Sequence, residues 1–294
     1  MEKSKKLRAA LKSGEVLRVV GAHNGLTAKL VEMNGFDGIW ASGLEISTSY
    51  AVPDASILTM TEFLNAAQIM NSASSLPIIA DCDCGFGNAL NVINMVNKYE
   101  QAGIAAVCIE DKIHPKMNSF VDGRQELIPI AEFAKKIEAA KENQTSKDFL
   151  VFARVEALVA GKSLEEALLR ANAYAEAGAD GIFIHSKSED TNEIEKFVER
   201  WDVDLPLLIC PTTYSSITYD KIKQLKKINV VIYANYGIRA QIRAVNQALS
   251  ELKEAGTAKA IEKGIASMEE VFDIQGMPKH RELEKRYLIP SKRD

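Results

Sequence analysis

At 294 residues the chain has room for one large domain or two small ones, and an apolar fraction of 47% allows a sizeable core. A net charge of −4 with no basic stripe argues against nucleic acid as a main partner. No apolar run approaches membrane-spanning length, and the charged start Met1–Arg8 has no apolar segment behind it, so the expectation is a cytoplasmic protein with no secretory leader and no membrane partner.

Eight strands can be placed in chain order: Leu17–Gly21, Gly38–Ser42, Pro77–Asp81, Ala106–Ile109, Phe149–Arg154, Gly181–His185, Leu207–Cys210 and Val230–Ala234. Helical patterns lie between most of them. One unit recurs at Asn34–Ile39, Ala102–Val107 and Ala177–Ile182: a helix stopped by Gly35, Gly103 or Gly178, then an apolar strand. Glycine is preferred there because the chain must take a positive φ to leave the helix. Ser163-Leu164-Glu165-Glu166 reads as a capping box opening a helix that runs to Ala177. Eight βα units in about 250 residues is the count of a (β/α)8 barrel. The rival, a doubly wound open sheet, lacks its glycine-rich fingerprint after the first strand. Past Gly237 a helix runs to about Glu254 and helical pieces continue to Tyr287. The expectation is a single barrel domain over 1–294, with residues from about 237 onward packing on a neighbouring subunit.

In such a barrel the chemistry sits at the carboxyl ends of the strands. Those ends carry Ser42-Gly43-Leu44, Asp81 and Asp83, Glu110, Arg154 and Glu156, His185, Pro211-Thr212, and Asn235. Asp81 and Asp83, at i and i+2 of a strand, should lean the same way, roughly 7 Å apart. With Glu110 from the next strand they offer oxygen ligands to a hard cation such as Mg²⁺. Arg154 and His185 should face those acids across the ring and meet an anion; Arg154 could instead simply pair with Glu156. Gly43 should let the backbone turn into an anion cradle. The stretch from Lys112 to Leu127 is long for a βα connection and carries Lys116, Asn118, Ser119 and Arg124, which suggests a closing lid. Cys82, Cys84, Cys108 and Cys210 lie in or beside apolar segments without zinc spacing and read as buried thiols.

The stretch Glu110-Asp111-Lys112-Ile113-His114-Pro115-Lys116-Met117-Asn118-Ser119 resembles the signature loop of the phosphoenolpyruvate mutase family, in the isocitrate lyase superfamily. The likeness extends through Gly38–Leu44, Asp81–Asn88, Ala153–Ala157 and His185–Lys187, roughly Val20 to Ala240 in register. It implies an Mg²⁺-dependent α/β barrel whose last helix swaps between the subunits of a dimer, often within a tetramer. By that resemblance Asp81, Asp83 and Glu110 are metal-site acids, with Asp54 a further acid nearby. Ser42, Gly43 and Leu44 cradle substrate oxygens. Arg154, His185, Asn118 and Ser119 surround a phosphoryl group, and Lys116 belongs to the lid. The implied reaction moves a phosphoryl group from the enol oxygen of phosphoenolpyruvate to C3, giving phosphonopyruvate. Its path is dissociative, with water excluded, and a downstream enzyme of phosphonate biosynthesis removes the product.

The chain departs from the family pattern at Ala41, Cys82, Cys84 and Glu45–Tyr50. The nearest rival is phosphonopyruvate hydrolase. Asn118 favours the mutase, while Glu45, Ser49–Ala55 and Asp122–Leu127 lean toward the hydrolase. A carbon–carbon lyase acting on an isocitrate-like acid would carry a catalytic Cys in the lid, and this lid has none. An oxaloacetate-acting relative and a non-catalytic anion-binding barrel are the remaining readings.

Overall fold

The computed structural model describes residues 2–288. Eight parallel strands close into a barrel in chain order. They are β1 (Leu17–Ala22), β2 (Gly38–Ala41), β3 (Ile78–Asp81), β4 (Ala106–Glu110), β5 (Leu150–Val155), β6 (Gly181–Ile184), β7 (Leu207–Ile209) and β8 (Ile228–Tyr233). Every strand expected from the sequence is present, with ends shifted by no more than two residues. Parallel strands covered on both faces read as continuous apolar runs, which is why short windows such as Ala106–Ile109 identify themselves.

Helices α1 (Glu2–Leu11) to α9 (Tyr219–Gln224) accompany the strands. They include α2 (Gly25–Met33), α3 (Gly43–Ser49), α4 (Met60–Ala73), α5 (Ala89–Gln101), α6 (Ile130–Asn143), α7 (Leu164–Glu176) and α8 (Asn192–Arg200). Inside the barrel, Val19, Trp40, Ile79, Cys108, Phe152, Phe183, Leu208 and Ile232 form one buried cluster. Outside it, residues such as Phe63, Tyr99, Phe133, Tyr174 and Trp201 join strands to helices in a second, larger one. All four cysteines are buried and free, as expected. Gly35, Gly103 and Gly178 have φ of 73°, 75° and 96°, the left-handed conformation assigned to them from the recurring unit.

One local reading is half met. Ser163 caps α7 by accepting from the Glu166 backbone N–H, but the Glu166 carboxylate accepts from Arg170 Nε at 2.9 Å. No return bond to the cap is formed, because a partly buried guanidinium one turn on binds that carboxylate.

The chain divides into a compact unit of residues 1–238 and a second of 239–294. The second unit contains most of α10 (Tyr236–Ala255), then α11 (Met268–Gln275) and α12 (Met277–Tyr287). Ser267 and Glu270 form a full capping box at the start of α11, and Gly276, at φ 76°, ends it. On α10, Ile242, Val245 and Leu249 are exposed at helical spacing. No helix among the described residues is long and apolar enough to cross a membrane.

The rim between β1 and β8 holds a close approach that no motif announces. Glu45, fully buried on α3, accepts from His23 Nδ1 at 3.0 Å and from the Asn235 backbone N–H at 3.0 Å. A Cβ on Gly21 would stand 2.1 Å from Glu45 Oε1 and 3.0 Å from Asn235 N. Gly21→Ala should therefore lower stability by about 1–3 kcal/mol through overpacking, read as a lower urea midpoint. An unchanged midpoint would show that Glu45 can move aside.

Candidate functional site

The carboxyl ends of β2, β3 and β5 to β8 and the long β4–α6 connection surround a cavity of about 50 Å³, room for one or two water molecules. Its lining includes Ser42, Leu44, Asp54, Asp81, Lys116 and Asn118, and also Ser119, Arg154 and His185. Nine of the twelve site residues expected from the sequence thus border one space. Gly43, Asp83 and Glu110 stand just behind its wall.

Asp81 ends β3, and its Oδ2 accepts from the Gly43 N–H at 3.3 Å. Gly43 does not take a positive φ. Its role is close approach, since a Cβ would lie 3.1 Å from both Asp81 Oδ2 and Phe63 Cε1. Ser42 caps α3, accepting from the Glu45 N–H. Asp83 is not on the strand: at φ 47° it lies in a turn closed by the Gly85 N–H donating to Cys82 O. The same-face strand geometry expected for Asp81 and Asp83 is therefore replaced by a left-handed step, which aspartate tolerates better than most residues. Asp83 O still accepts from the Glu110 N–H at 2.8 Å and keeps the two strand ends together.

The three acids do not form a direct ligand cage. Among the described residues no three Asp, Glu, His or Cys side chains converge closely enough to hold a metal ion by themselves. Cations of the chain stand between them. Lys116, 6% exposed, places Nζ 2.5 Å from Asp54 Oδ1 and 3.2 Å from Asp83 Oδ1. Arg154 Nε lies 3.4 Å from Glu110 Oε2 and pairs more tightly with Glu156 Oε1. Arg154 is thus beside the acids, not across from them, because β4 and β5 are neighbours with Glu110 and Arg154 in register. Its guanidinium also lies 5.0 Å from the Phe183 ring centroid.

Electrostatics follow from burial. Burial, with Asp83 and Glu110 adding to it against Arg154 and Lys116, pushes the Asp81 carboxyl up to about 7. Burial also raises Asp83. Asp54 is as deeply placed, yet Lys116 and the Asn118 amide outweigh burial and hold it below the usual carboxylate range. Glu156, fully buried, is held well below that range because Arg154, His185 and Lys112 overcome desolvation. Burial pushes His185 down despite Glu156.

The lid spans residues 112–127 and is pinned at its neck. Lys112 and Leu127 form an antiparallel bridge, Ile113 N–H donates to Glu126 O, and Ile128 N–H to Asp111 O. Asp111, fully buried, also accepts from Arg170, from Tyr174 OH at 2.7 Å and from the Glu156 N–H. The tip is latched to the loop after α3. Asn118 Nδ2 donates to Asp54 Oδ2 at 2.6 Å, and the Lys116 N–H donates to Ser56 Oγ. Phe120 sets its ring edge-to-face on His185, 5.6 Å between centroids.

Two residues central to this arrangement were invisible as site residues in the sequence. Lys112, 1% exposed, donates to Ser119 Oγ and lies 3.2 Å from Glu156 Oε2. Glu156 was visible only as a rival partner for Arg154. Nothing in local pattern separates either from a solvated strand-end charge.

If Asp54 is the latch, Asp54→Ala should free the tip, leaving Asn118 Nδ2 without its acceptor and Lys116 with Asp83 alone. Trypsin should then cut after Lys116 or Arg124 several-fold faster than in the parent, while the barrel stays intact. Equal cutting rates would place the latch elsewhere.

A family model for phosphoenolpyruvate phosphomutase matches residues 7–253. The phosphonopyruvate hydrolase of Variovorax sp. (strain Pal2) is 46% identical over 98% of this chain and 100% of its own length. The crystal structure of phosphoenolpyruvate phosphomutase from Streptomyces platensis subsp. rosaceus superposes with a TM-score of 0.95 at 50% identity, over 97% of this chain and 99% of that one. A structure of phosphonopyruvate hydrolase in complex with oxalate and Mg²⁺ superposes with a TM-score of 0.93 at 45% identity, covering 98% and 100%. The chain belongs to the phosphoenolpyruvate phosphomutase family, and its relatives of known name within it include both mutases and a hydrolase.

Proposed function

We propose that this member of the phosphoenolpyruvate phosphomutase family is a phosphoenolpyruvate mutase, interconverting phosphoenolpyruvate and 3-phosphonopyruvate with Mg²⁺. The observation that carries the reading is the lid: Asn118 and Lys116 are drawn over a cavity of about 50 Å³ by Asp54. A space that small admits a substrate only after the tip lifts. A tip that closes again keeps water from a phosphoryl group in transit. The loose transition state of phosphoryl transfer asks for positioned charge more than for a strong base.

The acids fit a magnesium ion on two grounds. Glu110 Oε1 is buried without a hydrogen-bond partner, and burial pushes Asp81 up toward neutrality even with Arg154 and Lys116 nearby. The absence of a tight cage suits an ion that keeps several of its waters. Asp81 would hold the ion, with Asp83 and Glu110 behind it. When bound, it supplies positive charge to carboxylate and enolate oxygens of the substrate. Ser42, Gly43 and Leu44 would orient those oxygens from the start of α3. Arg154, fixed by Glu156 and Glu110, holds a permanent cation beside the phosphoryl group. Asn118, Ser119 and His185 complete its surroundings. Helices α10 to α12 would pack on a neighbouring subunit of a dimer or tetramer, for which the exposed Ile242, Val245 and Leu249 stripe is the support.

Hydrolysis of phosphonopyruvate to pyruvate and phosphate is the second reading. It is favoured by the 46% identity to the Variovorax hydrolase and by the likeness of Asp122–Leu127. The deciding experiment is ³¹P NMR of phosphonopyruvate with enzyme and Mg²⁺: phosphoenolpyruvate means mutase, inorganic phosphate means hydrolase.

Two substitutions probe the assignment. Asp81→Ala should weaken Mg²⁺ binding by calorimetry and reduce turnover to background; a variant fully active at low Mg²⁺ would remove Asp81 from the metal site. Asn118→Ala should cost most transfer to carbon, about 100-fold, and shift the remaining turnover toward pyruvate and phosphate. Unaltered product ratios would remove Asn118 from the control of water.

A further inference from the structure

Glu156 gathers four side chains on one carboxylate. Oε1 accepts from Arg154 Nε and from His185 Nδ1 at 2.8 Å. Oε2 accepts from Ser119 Oγ at 2.8 Å and lies 3.2 Å from Lys112 Nζ. The carboxylate has no exposure to solvent. With three cationic or cation-capable groups around it, it is ionised, and an ionised carboxylate only accepts.

That fixes the tautomer of His185. A neutral imidazole has one N–H, and the only role left to His185 Nδ1 against Glu156 is donor. Arg154 Nη2 also approaches Nδ1, at 2.9 Å. Both groups would then be donors, so this contact is a packing consequence of their shared acceptor and not a hydrogen bond. His185 Nε2 is left bare. It has no hydrogen-bond partner among the described residues, and its ring lines the cavity, with Phe120 edge-on against it.

We propose that Glu156 is a positioning residue that locks His185 in the Nδ1–H tautomer, so that Nε2 meets the phosphoryl group as a proton acceptor. A phosphoryl oxygen that arrives protonated gives its proton to Nε2. The O–H bond breaks, the N–H bond forms, the electron pair stays on oxygen, and the imidazolium is stabilised by Glu156. The same nitrogen then donates back to the oxygen it has deprotonated, now carrying the extra negative charge that a loose transition state spreads over three oxygens. Ser119 joins the lid to this carboxylate, so closure and the orientation of His185 depend on one group. The inference rests on the phosphoryl-transfer reading only for what Nε2 meets; the tautomer itself is a property of the unliganded protein.

The test is therefore made first without metal or substrate. The chain has four histidines, His23, His114, His185 and His280, and ¹⁵N-histidine labelling resolves them. The His185 signals are assigned by their loss in His185→Asn. A pyrrole-type Nδ1 with a pyridine-type Nε2 at pH 7.5 is expected; the Nε2–H tautomer in the parent protein would overturn the proposal. In Glu156→Ala the His185 signals should move toward the Nε2–H form, and consumption of phosphonopyruvate, whichever product is made, should fall about 100-fold in kcat with a smaller change in KM. Glu156→Asp should recover part of both. A folded Glu156→Ala that keeps the parent tautomer refutes the assignment. Should that variant not fold, the parent spectrum and Glu156→Asp decide.

Discussion

Charge at the mouth of this barrel has to be balanced with little help from water. Asp54, Asp81, Asp83, Glu110 and Glu156 converge there, and Lys112, Lys116 and Arg154 are the permanent cations among them. With all five ionised, the carboxylates exceed the three cations by two, the charge a divalent ion would cancel. Ionised groups taken out of water cost several kcal/mol each unless paired, so two of the cations are held where they serve two acids each. Lys116 spans Asp54 and Asp83, Arg154 spans Glu110 and Glu156, and Lys112 serves Glu156 with Ser119. The positions of the lid, of β5 and of the loop after α3 follow from these shared contacts.

The fold was legible because its information is local. Each buried parallel strand is a short apolar run, and the helix exits at Gly35, Gly103 and Gly178 use glycines whose positive φ the chain needs. The acids, Arg154 and His185 were legible because a barrel sends every strand end to the same rim. What the sequence concealed is geometry across elements. Asp83 sits two residues beyond Asp81, but a left-handed step takes it off the strand, and spacing alone gives no sign of that. Arg154 was expected opposite the acids; the register of β4 on β5 puts it next to Glu110. Glu156 and Lys112 acquire their roles from groups up to 44 residues apart in sequence, which no local pattern encodes.

Glu45 and Gly21 make the same point on the other side of the rim. A glycine near a strand end reads as neutral until a buried carboxylate is found against its Cα. The glutamate then ties the end of β8 to α3, and α3 begins with the Ser42–Leu44 segment at the cavity. A carboxylate that never touches the cavity thus helps to place its backbone wall.

The pinned neck of the lid has a consequence for how such chemistry diversifies. Lys112 and Leu127 are bridged, and Asp111 is bound to Arg170, Tyr174 and the Glu156 backbone, so both ends of the loop are anchored to the barrel. The tip between them is a cassette on a fixed frame. Its exposed residues, such as Val121 and Asp122, can be exchanged without disturbing β4 or β5, while Lys116, Asn118 and Ser119 stay tied to the acids below. In such an arrangement the fate of a transferred group, carbon or water, can change through a few positions in one loop while the barrel beneath stays constant.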